Sequence, residues 1–134
     1  TLEEKSLGCV QKGGSAPVSA VLNIGEPAQT PGLNLLDGPG NDPIAATGLT
    51  AAGCHLLLFT TGRGTPLGAP VPTIKIATNT ALAQRKNGWI DFDAQTGSAD
   101  DLWDLILRTA EGAPTKNETN GNRQIAIFKD GVTL

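Results

Sequence analysis

An arginine set between glycines at the end of an apolar run can receive an anion, and residues 59–70, FTTGRGTPLGAP, place Arg63 between Gly62 and Gly64 in this way. A guanidinium forks onto a carboxylate through two parallel hydrogen bonds. Gly62 and Gly64 let backbone N–H groups approach a bound oxyanion, while Thr60, Thr61 and Thr65 add hydroxyl donors. The loop over 60–72 is also long for a compact domain, which points to a purpose beyond connection. The bland alternative is a structural turn whose arginine pairs with a surface acid. Two phosphate-binding loops are excluded by spacing. Gly62, Gly64 and Gly68 run G-x-G-x-x-x-G with Pro66, Pro70 and Pro72 following, so no helix opens there as a dinucleotide fingerprint requires. The Gly-Lys-Ser/Thr ending of a nucleotide P-loop is missing too.

A second anion candidate is the turn Gly38-Pro39-Gly40-Asn41-Asp42, which leads into a helix N-terminus. Plain capping by Asn41 or Asp42 explains it equally well. If both loops leave the same sheet edge, they can face each other. Lys75 alternates with Ile74 and Ile76; a lysine snorkelling to the surface is the commoner arrangement, with the cleft as the alternative. His55 stands alone at the far end of its strand and forms neither a metal site nor a triad. Asp91 and Asp93 read as a solvated strand end, although they could hold a cation. Cys9 and Cys54 lack metal-type spacing and read as reduced, buried thiols.

The elements that must position these groups follow from pattern. Thr1 to Glu4 has the form of a capping box and Gly13-Gly14 ends the helix, giving a helix over about 2–12. Strands are expected at 18–22 and 33–36. A helix over 44–52 follows, with Pro43 at its first position. Residues 54–60 read as the next strand, covered on both faces, completing a strand–helix–strand unit in one parallel sheet. Then come a strand at 73–77, a helix at 80–86 capped by Asn79, a strand at 89–92 and a helix opened by a capping box at Ser98. A polar linker over 115–123 and a last strand at 124–128 complete the chain. Alternating strands and helices predict a single three-layer, Rossmann-like α/β domain with a mainly parallel sheet flanked by helices.

Composition bounds the partners. The chain has 134 residues, a net charge of −3 and no run approaching a membrane span. No nucleic-acid or membrane partner is expected, and any anion site must be local. The start TLEEKSLG lacks signal-peptide character, so a cytoplasmic location is expected. Methionine is absent, which fits a trimmed or internally cut start.

Four segments carry a resemblance: EEKSLGCVQKGG (3–14), GLNLLDGPGNDPIAATGLTAAGC (32–54), LFTTGRGTPLGAPVPTIKIATNTALA (58–83) and WIDFDA (89–94). Together they resemble the C-terminal part of the sugar-acid dehydratases, the altronate dehydratase (altronate hydrolase) and galactarate dehydratase family. The GPGND turn and the IAIFKDGVTL ending favour the altronate branch. The resemblance implies an excised C-terminal domain whose partners are the N-terminal and middle domains of the same protein, in a possible homo-oligomer. It implies dehydration of D-altronate to 2-keto-3-deoxy-D-gluconate in hexuronate breakdown, with a divalent metal, iron(II) or manganese(II), in the full-length protein. By the matched TTGRGTP loop, Thr60, Thr61, Gly62, Arg63, Gly64 and Thr65 would hold the substrate. Lys75 and Asn79 in the KIATN segment, and Glu4 and Lys5 in the EEK segment, are weaker candidates. The base and metal ligands are not assigned to this chain. The alternatives are a scaffold or association domain and a dehydratase of another hydroxy acid such as galactarate.

Overall fold

A computed structural model describes Glu3, Leu7 and residues 10–127. Glu3, Leu7 and residues 10–12 are helical; the rest of the expected helix over 2–12, with Glu4, Lys5 and Cys9, lies outside the described residues. The elements in order are β1 (Val18–Leu22), β2 (Leu33–Leu36), α1 (Asp42–Ala51), β3 (Leu57–Thr61), β4 (Thr73–Ala77), α2 (Thr80–Arg85), β5 (Phe92–Asp93), α3 (Ala99–Ala110) and α4 (Lys116–Thr119). All strand pairing among the described residues is parallel, in one sheet of order β1-β2 and another of order β3-β4-β5. The architecture is thus α/β, with parallel sheets flanked by helices.

The strand–helix–strand unit departs from expectation. β2 pairs with β1 and β3 with β4, so the strands on either side of α1 belong to different sheets. Packing ties α1 to the second of these strands. Ala46 of α1, Leu57 of β3 and Ala69 form a buried cluster, with Leu49, Phe59 and Val71 against it. β3 itself is not covered on both faces, since Leu57 is buried and Leu58 is 45% exposed. The strand buried throughout is its neighbour β4, TIKIA, which lies between β3 and β5. Burying an isoleucine such as Ile74 or Ile76 contributes about 1.5–3 kcal/mol. A second cluster of Ala77, Leu82 and Ile90 packs α2 against the end of β4.

Local chemistry sets the helix ends. Asn41 accepts from Ile44 N at 3.4 Å, and Asn79 accepts from Leu82 N at 2.8 Å. Ser98 and Asp101 form a reciprocal capping box. The expected linker over 115–123 contains α4, opened by a second such box between Thr115 and Glu118. The T-x-x-E signal is present in the sequence at these positions. β5 begins later than the expected 89–92 because the Asp91 carboxylate, rather than a ladder carbonyl, accepts from Lys75 N at 2.8 Å.

The expected final strand is not formed over 124–127, and Phe128 lies outside the described residues. Gln124 N donates to Gly68 O at 2.9 Å and Ala126 N to the Thr47 hydroxyl at 2.9 Å. Alternate amides thus bond a loop and a helix side chain where a ladder would need a neighbouring strand. No described helix is long and apolar enough to cross a membrane.

Candidate functional site

The loop leaving β3 opens a cleft of about 630 Å³ lined by Asp42 and residues 58–65. This joins six of the expected site residues, Thr60, Thr61, Gly62, Arg63, Gly64 and Thr65. It also brings the first residue of α1 beside them, so the two strand-end loops do meet. Arg63 is exposed, and no carboxylate lies within ion-pairing distance of it among the described residues.

Two lysines hold the loop's shape from the protein side. Lys86 Nζ donates to Arg63 O at 2.9 Å and Gly64 O at 3.1 Å, with its ammonium 5.0 Å from the centre of the Trp89 ring. Lys75 Nζ donates to Thr65 O and sits 6.0 Å from the Phe59 ring centre. Three consecutive carbonyls are therefore turned onto cations. Gly64 allows this with φ of +74°, and a Cβ there would meet Lys86 Cδ at 2.8 Å.

Lys75 corrects the expectation of a snorkelling surface lysine, for it is completely buried within the middle strand. Burial lowers its pKa from 10.5 to about 8, with the Asp91 charge opposing the shift and Lys86 adding to it. Lys75 thus supports the loop from below instead of lining the cleft.

The hydroxyls and amides are partly engaged. Thr61 Oγ1 accepts from Gly64 N at 2.9 Å and Thr65 Oγ1 from Leu67 N at 3.4 Å, which leaves both hydroxyl protons able to donate. Gly64 N–H is consequently not offered to an oxyanion as the sequence suggested. The N–H groups of Gly62, Arg63 and Thr65 make no hydrogen bond to another described residue. Asn79 caps α2 and donates to Gly62 O at 3.4 Å, and Asn41 caps α1. Neither asparagine lines the cleft.

Sequence reasoning missed Lys86, read only as the end of a helix, and it treated Asp42 as a possible cap. No local pattern announces the Lys86 contact, which crosses from α2 to a loop more than twenty residues earlier. Asp91 is structural, accepting from Lys75 N at 2.8 Å and Lys116 N at 2.9 Å. His55 is exposed before β3, and Cys54 is a half-buried free thiol. Among the described residues no three His, Cys, Asp or Glu side chains converge.

Parallel strands flanked by helices, with a cleft at the end of β3 in which Arg63 has no carboxylate partner among the described residues, put the chain in the α/β class. The chain belongs to the family described as D-galactarate/Altronate dehydratase, C-terminal, whose sequence profile matches residues 1–133. It is 56% identical to altronate dehydratase of Escherichia coli and 50% identical to that of Bacillus subtilis, each over 100% of this chain and 29% of the relative. It is also 40% identical to the galactarate dehydratase (L-threo-forming) of Escherichia coli over 93% of this chain and 26% of that protein. The chain therefore spans less than a third of the length of these relatives.

Proposed function

We propose that the chain is one C-terminal domain of a cytoplasmic hydro-lyase that converts D-altronate to 2-keto-3-deoxy-D-gluconate and water, and that its cleft holds the substrate carboxylate. The observation that carries this reading is Arg63, exposed in the cleft with no carboxylate partner among the described residues. Dehydration next to a carboxylate removes the C2 proton and expels the C3 hydroxyl. Negative charge then grows on the carboxylate oxygens, where donors aimed in advance lower the barrier most. The Arg63 guanidinium, the N–H groups of Gly62, Arg63 and Thr65, and the hydroxyls of Thr60, Thr61 and Thr65 are among the donors this chain offers. The names of these relatives refer to altronate and galactarate, acids that share a 2-hydroxycarboxylate. A wall reading that common group suits both.

In this reading the base and the ligands of a divalent metal such as iron(II) or manganese(II) lie wholly or partly on the rest of the full-length protein. The isolated chain is expected to be inactive, and altronate dehydration by it would contradict that assignment. In the full-length protein, Arg63→Ala should lower kcat/KM by about 2–4 kcal/mol of transition-state stabilisation, with the folded fraction unchanged. Near-normal specific activity with lowered stability would instead make this a scaffold domain.

A further inference from the structure

We propose that Asp42 makes the cleft prefer acids with one carboxylate over acids with two. This rests on the reading of the cleft as the substrate site. Asp42 opens α1 yet does not cap it, because Asn41 accepts from Ile44 N. Its carboxylate is exposed, and among the described residues it accepts no hydrogen bond and forms no ion pair. It lines the same cleft as Arg63, so one cavity carries both signs of charge.

That arrangement orients a ligand. An aldonic acid puts its carboxylate on Arg63 and turns hydroxyl groups toward Asp42, which accepts hydrogen bonds from them. An aldaric acid of the same length brings a second carboxylate toward Asp42, where like charges repel unless one carboxylate takes up a proton. Repulsion of this kind against a competing ligand is a common source of specificity. The family contains relatives named for acids of each kind, altronate with one carboxylate and galactarate with two.

The test compares Asp42→Asn with wild type in the full-length protein, measuring kcat/KM for D-altronate and galactarate, and the inhibition constant of galactarate against altronate turnover. Asparagine keeps the acceptor oxygen and removes the charge, and the Asn41 cap is untouched. The expected result is a rise of roughly tenfold or more in galactarate preference, by turnover or by inhibition, with the difference shrinking at high salt in wild type only. An unchanged ratio overturns the assignment to Asp42. If Arg63→Ala still impairs both acids in that case, the cleft reading survives. If Arg63→Ala impairs neither, the cleft reading itself has failed.

Discussion

Replacing Lys75 with methionine separates two opposing effects of one buried ammonium. Lys75 is 0% exposed in β4, and its pKa falls from 10.5 to about 8, chiefly through burial. Each unit between folded and unfolded pKa is worth about 1.4 kcal/mol, so keeping Lys75 charged in the fold at pH 7 costs about 2–3 kcal/mol after allowance for screening. The hydrogen bond to Thr65 O works the other way, and leaving that half-buried carbonyl without a donor costs about 1–3 kcal/mol. The two nearly cancel at neutral pH. Methionine also has similar volume, so Lys75→Met should change stability by less than about 1 kcal/mol at pH 7. Raising the pH breaks the balance. Because the folded pKa lies below the unfolded one, the cost of the charge is fully present below about pH 8 and is relieved as pH rises toward 10.5. Wild type should therefore gain about 2 kcal/mol between pH 7 and pH 10 relative to the variant. Urea unfolding of both proteins at the two pH values measures this, and the remaining lysines cancel in the comparison. Equal pH dependence in the two proteins would refute the argument.

Two further perturbations probe the same framework. Gly64→Ala should destabilise by about 1–2 kcal/mol, since alanine resists φ of +74° and its Cβ displaces Lys86; urea titration and kcat/KM should fall together. The Glu118 carboxyl is held below its ordinary pKa by the Thr115 N–H first, then by its hydroxyl and Arg123. The stability it contributes is present above the usual carboxylate range and lost as pH falls through its lowered pKa, so Glu118→Gln should flatten the acid limb of stability measured by urea unfolding from pH 6 to 3.

Much of the candidate cleft is legible in the sequence because its signals are local. The TTGRGTP loop follows an apolar run, Asn79 precedes a helical pattern, and the apolar pattern over 73–77 coincides with β4. What escaped depends on distant partners. Lys75 looks amphipathic beside Ile74 and Ile76, but only the middle position of β4 and the fold-back of Thr65 O reveal that it is buried. The segment 124–127 alternates like a strand, and two of its amides face Gly68 and Thr47 instead of a ladder. Split sheets escaped for the same reason, since strand partners are chosen across the fold and not along the chain.

The most direct measurement is a crystal structure of the full-length protein with D-altronate bound. A carboxylate oxygen is expected about 2.7–3.2 Å from the Arg63 guanidinium, with the Thr65 N–H as a second donor. A substrate bound elsewhere, with Arg63 paired to an acidic side chain, would contradict it.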